Sequence, residues 1–198
     1  MNALTKVIGM SVVAAGLIGC AANAETGSAK MAAASSKQTV MVGGAPMYPS
    51  KNIIENAVNS KDHETLVAAV QAAGLVDTLQ GDGPFMVFAP TDEAFAKLPA
   101  GTVESLLKPE NKLQLQKVLT YHVVQASALS DAINRMIAAD GGRHPVPTIA
   151  GGKLMAENDD RGNITLTDEN GRTATVTIAD VRQSNGVIHV IDTVLLPK

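Results

Sequence analysis

The sequence predicts an α+β protein, with short helices gathered in its middle and strands in its last third. Between residues 53 and 140, apolar residues recur at helical spacing in brief runs bounded by Gly, Pro or a capping residue. From about residue 146 onward, apolar residues alternate with Thr, and turn dipeptides punctuate the runs. The chain is 45% hydrophobic and 18% charged, which suits a packed globule rather than a disordered segment. With two Tyr, three Phe and no Trp, that core has to be mostly aliphatic.

Residues 1–24 read as an export signal. Lys6 and the amino terminus supply a short positive start, and Val7 to Ile18 is apolar or small throughout. Such a run is too short to cross a bilayer as a helix, which takes about 20 residues. Two cleavage sites compete. Ala22-Asn23-Ala24 suits the ordinary signal peptidase, whereas Leu17-Ile18-Gly19-Cys20 resembles a bacterial lipobox that would lipidate Cys20. Cys20 is the one cysteine of the chain, so no intramolecular disulfide forms and paired-cysteine redox or zinc chemistry is excluded. Residues 25–47 are small and polar without a visible period and read as a flexible tether, which places the folded domain at residues 48–198.

Within the domain, Ile53, Ile54, Ala57 and Val58 suggest a short helix after Pro49-Ser50. Asp62 can cap a second, carrying Leu66, Val67, Val70 and Ala73 and ended by Gly74. Gly81 to Pro84 is a turn, and Phe85 to Ala89 is a short buried strand stopped by Pro90. Thr91 is a good helix cap, with Asp92 and Glu93 in the first turn and Phe95 and Leu98 on one face. Thr102 can open a further turn. Leu113 to Tyr121 forms a helix running into the strand-like His122-Val123-Val124. Ser127 or Ser130 can open a helix with Ile133, Met136 and Ile137, closed by Gly141-Gly142. Then come an extended piece from Val146 to Ala156, strands at Ile164–Thr167 and Ala174–Ile178 joined through Asn170-Gly171, and a last strand from Val187 to Leu196.

Three of these segments together resemble the fasciclin domain family. Phe88-Ala89-Pro90-Thr91-Asp92-Glu93-Ala94-Phe95 looks like its first signature, Tyr121-His122 with Val123-Val124 like its tyrosine–histidine motif, and Asn185 to Asp192 followed by Val194-Leu195-Leu196-Pro197 like its second signature. The resemblance implies a fasciclin-like β-wedge or sandwich with a cluster of short helices. It also implies a bacterial secreted or lipoprotein single-domain member acting in adhesion or ligand interaction without catalysis. In animal members the tyrosine–histidine motif is linked to integrin contact, so Tyr121 and His122 become the binding candidates by resemblance. Many members follow that pair with Pro-Gly where this chain has Gln125-Ala126, and the region from Ala126 to Pro147 is its own.

The other signature residues, Thr91, Asp92, Phe95, Asn185, Gly186, His189 and Asp192, read as structural. Thr91 and Asp92 belong to a helix start, and Asn185-Gly186 makes a tight turn. His189 and Asp192 stand three apart in the expected strand, so they face opposite sides and cannot share an ion. Glu157 to Gly162 resembles a calcium loop, but Arg161 occupies a ligand position, and a solvated turn is expected. No nucleophile elbow, zinc helix or phosphate loop is present, and no metal or cofactor is expected. A net charge of −3 supplies no basic stripe for nucleic acid. The expected function is a cell-envelope or secreted binding module for an extracellular or envelope protein or polysaccharide, touching the membrane only through a lipid on Cys20. The alternative is a periplasmic carrier or sensor of a small apolar ligand, with some of the eight Met residues lining a pocket.

Overall fold

The computed structural model describes residues 39–198. The signal segment 1–24 with Cys20, and the tether as far as residue 38, lie outside the described residues.

The end of the expected tether is ordered. β1 (Val40–Val42) and β2 (Ala45–Met47) pair antiparallel, and Val42, Ala45 and Met47 are buried, Val42 and Met47 beside Ile53 and Ile54. The tether boundary at residue 47 and the domain start at residue 48 are therefore corrected: regular structure begins by Val40. Each strand has three residues, too few for alternation to stand out among the small residues around them.

The helices then follow in short pieces. α1 (Ile53–Ala57) starts with a capping box, in which Glu55 N–H donates to Asn52 Oδ1 and Asn52 N–H to Glu55 Oε2, each at 2.8 Å. α2 (Glu64–Ala73) ends at Gly74, as its sequence requires, and α3 (Val76–Gln80) leads through the turn into β3 (Phe85–Pro90). α4 (Asp92–Ala96), α5 (Thr102–Leu106), a single 3-10 turn and α6 (Lys112–Tyr121) come next, then β4 (Val123–Val124) and α7 (Ser130–Ala139). The rest is sheet: β5 (Arg143–Pro147), β6 (Lys153–Asn158), β7 (Ile164–Thr167), β8 (Thr173–Gln183) and β9 (Gly186–Ile191).

Seven strands form one sheet in the order β4-β3-β9-β8-β7-β6-β5. β3 and β9 run parallel, and every other neighbouring pair is antiparallel. β8 is longer than the expected Ala174–Ile178, because its first residues pair with β7 and its later ones with β9, across register shifts between Val176 and Val181. Beyond β5, the Ile149 N–H donates to Val123 O at 2.8 Å, so the far end of the sheet reaches β4 and nearly closes it. The outermost strand β5 carries Pro145 and Pro147, which deny donors to an added strand.

The central strands are buried on both faces, and their side chains alternate between two aliphatic clusters. Val87 and Ala89 of β3, with Ile188 and Val190 of β9, join the cluster under the helices α1, α2, α4, α5 and α6. Met86 and Phe88, with Ile191, join the cluster inside the sheet's curve, which α7 covers with Ile133 and Ile137. The α+β wedge is thus a seven-stranded sheet, accompanied by the β1–β2 hairpin, with most of the helices packed on one face and the other filled by its own side chains and α7.

β9 stops at Ile191, not at the expected Leu196. Asp192 ends it: its backbone N–H donates to Thr175 O at 3.2 Å while its own Oδ1 accepts the Thr175 N–H at 2.8 Å, so the side chain takes the amide that a continuing strand would engage.

Candidate functional site

The tyrosine–histidine pair closes α6 and enters β4, which places both side chains in the interior. Tyr121 is completely buried and His122 is 3% exposed. The Tyr121 hydroxyl donates to Lys153 O at 2.9 Å and accepts the Glu169 N–H at 3.3 Å. Its ring lies against Gly152, where a Cβ would stand 2.6 Å from Tyr121 Cε2; only glycine lets the β5–β6 turn approach that far. Burial raises the phenol's pKa.

His122 has both ring nitrogens engaged. Nδ1 lies 2.8 Å from Val118 O, which can only accept, so Nδ1 carries the proton; Nε2 accepts the Leu195 N–H at 3.0 Å. The ring is neutral in this arrangement. Burial pushes its pKa down to about 4, against the opposing pull of the Val118 carbonyl and the Asp168 carboxylate. The two rings meet edge to face at 6.5 Å between centroids. A partner touching the surface of this conformation meets neither side chain, so the binding expectation for Tyr121 and His122 is not carried by the geometry.

The remaining signature residues hold elements together. Thr91 Oγ1 accepts the Ala94 N–H at 3.2 Å and caps α4. Asp92 lies in the first turn of α4, but its carboxylate accepts Thr65 N–H at 2.8 Å and Glu64 N–H at 3.3 Å, capping α2 from a distance. Asp62, the expected cap of α2, instead offers its carbonyl to the Asp92 N–H at 2.8 Å; the position before the helix belongs to His63. Phe95 is buried in the cluster beneath the helices.

Asn185 joins three elements. Its Oδ1 accepts the Ile53 N–H at the start of α1, and its Nδ2 donates to Leu79 O of α3 and to Gly81 O. Gly186 pairs with Phe85 at the parallel β3–β9 contact, where a Cβ would fall 2.0 Å from Phe85 O. Asp192 bonds Thr175, Thr193 and the exposed Lys97. Burial alone would raise its pKa, and those bonds together hold it below the ordinary carboxylate value.

His189 is fully buried beside Phe88, 5.8 Å between ring centroids. Its Nε2 donates to Ala128 O at 3.0 Å, and its Nδ1 faces the Asp180 N–H at 3.4 Å. Burial lowers its pKa too. His189 and Asp192 have no partner in common. The expected solvated turn is present: Asp159 accepts the N–H groups of Arg161 and Asn163, which occupies the loop's carboxylate.

Two residues of this network escape a sequence reading. Asp180, in the left-handed region at φ 62°, accepts both the N–H and the hydroxyl of Ser130 at 2.6 Å and so caps α7 from β8. Asp168, buried in the hairpin, accepts the N–H groups of Asn170, Arg172 and Leu196. The Asp168-Glu169-Asn170-Gly171 turn signals the first two bonds; nothing local signals the bond to Leu196 or the role of Asp180.

A cleft of about 470 Å³ opens between β4, β5 and α7. Met86, Val124, Ile133, Met136 and Val146 form its apolar wall, with Gln125, Thr148 and His144 at the polar positions, the last paired to Asp140 at 2.6 Å. Much of this lining comes from the segment where the chain departs from the family pattern. A second, largely apolar space beneath α1 to α3, lined also by Thr78, Thr120 and His122, is only about 60 Å³.

Comparison with known proteins gives concordant results. Residues 61–197 match the family described as Fasciclin domain. Protein sll1483 of Synechocystis sp. is 47% identical over 161 residues, covering 81% of this chain and 82% of that protein. Cell surface glycolipoprotein MPB83 of Mycobacterium bovis is 36% identical over 146 residues, covering 71% of this chain and 58% of that protein. The transforming growth factor-beta-induced protein ig-h3 of Sus scrofa is 37% identical over 132 residues, covering 67% of this chain but 17% of that longer protein. The solved FAS1 domain pair of the insect cell adhesion molecule fasciclin I superimposes with a TM-score of 0.65 at 18% identity, over 75% of this chain and 52% of that one.

Proposed function

The chain belongs to the fasciclin domain family, and from that premise we propose that it is a non-catalytic binding or adhesion module working outside the cytoplasm, at the cell envelope or as a secreted protein. The observation that carries this reading is how the signature polar groups are spent. Thr91, Asp92, His122, Asn185, His189 and Asp192 all hold backbone groups in place, which leaves none of them aimed at a reacting atom. Relatives named as a cell surface glycolipoprotein and as part of a cell adhesion molecule support the location and the class. The partner is an extracellular or envelope protein or polysaccharide.

Deleting the gene and measuring surface attachment and aggregation tests the proposal, together with binding of the purified chain to envelope extract. Loss of attachment and retention of an envelope component are expected. Unchanged attachment with no binding to protein or polysaccharide would overturn it, as would substrate turnover abolished by changing Asp92, His122 or His189 in a folded protein. The leader allows two mature forms, an acylated Cys20 or a free Glu25 terminus, and mass spectrometry of the exported protein distinguishes them.

A second reading, carriage or sensing of a small apolar ligand, draws support from the cleft between β4, β5 and α7. Its size falls in the range of ligand sites, whereas the space beneath the helices, at about 60 Å³, is too small for a lipid. Mass spectrometry of organic extracts from the purified chain should show a co-purified apolar compound under this reading. A clean extract, and no ligand-induced change in Met136 or Val146 resonances, would remove it.

A further inference from the structure

After β9 the chain leaves the sheet and runs from Asp192 to Pro197 across the domain. Two consecutive amides of this run are held by titratable side chains from two different elements. Leu195 N–H donates to Nε2 of His122 at the end of α6, at 3.0 Å, and Leu196 N–H donates to Oδ2 of Asp168 in the β7–β8 turn, at 3.0 Å. Asn170 Nδ2 donates to Leu196 O at 2.7 Å. Val194 and Leu195 are buried, one in each aliphatic cluster.

We propose that Val194–Pro197 is an acid-released strap: when His122 takes up a proton, its Nε2 no longer accepts the Leu195 N–H, and the segment lifts off α6 and uncovers the Tyr121–His122 pair while β9 stays in the sheet.

The geometry makes His122 the latch. Its Nδ1 already donates to Val118 O, so a second proton can go only to Nε2, which would then point a donor at the Leu195 N–H. Two donors facing each other in a dry site repel, and the new charge is itself buried. The surrounding groups do not rescue it. From the β7–β8 turn, Asp168 favours the charged ring, but its Oδ1 is taken by Asn170 and Arg172 and its Oδ2 by Leu196. Neighbouring Glu169 lies near the Lys153 N–H, and on α6 the Tyr121 hydroxyl donates to Lys153 O. Also on α6, Lys117 Nζ donates to Lys198 O, and Lys97 of the α4 end binds Asp192 where the run begins. β3 faces the site with Phe88, which carries no charge.

Burial holds the closed form's proton affinity near pH 4, whereas a ring released to water titrates near its ordinary 6.5. Opening is therefore favoured progressively as pH falls from about 6.5 toward about 4. Between pH 7 and pH 5 the open population rises roughly twentyfold on these values. The strap opens before the sheet because β9 is paired on both sides, to β3 and β8, and the strap is paired on neither.

Amide hydrogen exchange of the full chain, read by NMR and corrected for the intrinsic pH dependence of exchange, tests this. Protection of Leu195 and Leu196 should fall roughly twentyfold between pH 7 and pH 5, and at each pH it should stay well below that of Val190 of β9, which exchanges only when the sheet itself opens. His122→Gln, which can donate and accept without titrating, should flatten the dependence. In the wild-type samples, the His122 ring nitrogen shifts should follow the Leu195 amide, a readout that stands even if the variant does not fold. The proposal is overturned if strap protection is flat across that range, if the strap and Val190 are equally protected at each pH, or if a folded His122→Gln variant shows the same fall.

Discussion

The carboxylate of Asp92, in α4, accepts the backbone N–H of Thr65, in the first turn of α2, at 2.8 Å. The first-signature acid therefore completes a helix 27 residues upstream in the chain and ties two helices to the end of β3. Asp92→Ala leaves two helix-start amides without their acceptor and removes a negative charge from the positive end of α2. A loss of about 2 kcal/mol is expected. Exposed Glu93, one residue on, should cost under about 0.5 kcal/mol when changed to Ala. Urea unfolding of the two variants measures the difference; equal midpoints would show that the cap contributes nothing.

Asn185→Ala should be more damaging than a turn substitution usually is. It strips the acceptor from Ile53 N–H and the donor from Leu79 O and Gly81 O, at a junction of α1, α3 and the β8–β9 turn. A loss of about 3 kcal/mol is expected. Asn185→Asp keeps the acceptor for Ile53 but turns a carboxylate oxygen toward the carbonyls of Leu79 and Gly81, so it should destabilise at least as much as the alanine variant in the same urea series.

Gly186→Ala forces a methyl group into the space held by Phe85 O, 2.0 Å from the position its Cβ would take. That carbonyl is backbone in the central parallel pair, so relief requires β3 and β9 to separate. A thermal midpoint lowered by about 10 °C, or failure to accumulate soluble protein, is expected, and thermal scans of Gly186→Ala beside Asn185→Ala measure it.

Stability should fall as the solution is acidified, well before carboxylates titrate. His63, His122 and His189 are all buried, and burial lowers the pKa of each. A depressed folded-state histidine contributes stability fully above its unfolded value of 6.5, and that contribution is lost as pH falls through the folded value, about 4 for His122. His122 alone accounts for about 3 kcal/mol over that window, and the other two act in the same direction. Asp192 is also depressed, so its contribution is present above the ordinary carboxylate value and disappears only at lower pH. Urea midpoints between pH 7.5 and pH 4 should decline steadily, and a level profile across that span would contradict the neutral, buried histidines seen here.

Sequence pattern and fold agree where one residue and its near neighbours decide the outcome. Thr91 caps its own helix, Gly74 ends α2, and Asn170-Gly171 turns the β7–β8 hairpin, because each choice depends on backbone energetics within four residues. Expectations failed where a distant group competed. Asp62 yields the cap of α2 to Asp92, and the last strand stops at Ile191 because Asp192 turns its side chain onto Thr175, whereas α7 does open at Ser130, with its first amide held by the distant Asp180. The short hairpin before residue 48 escaped because three-residue strands carry too little periodicity to see.

Neighbouring residues alone specify the α+β class, the order of most elements, the aliphatic core and the family, since alternation, turn chemistry and the three signatures are local properties of the chain. Only the tertiary structure decided what the signature side chains do. Tyr121 and His122 point inward, and Asp92, Asp168, Asp180 and Asn185 bind amides or carbonyls of other elements. The physical reason is that a buried polar group must find its partner in three dimensions, and which backbone groups lack one is known only once the elements have packed.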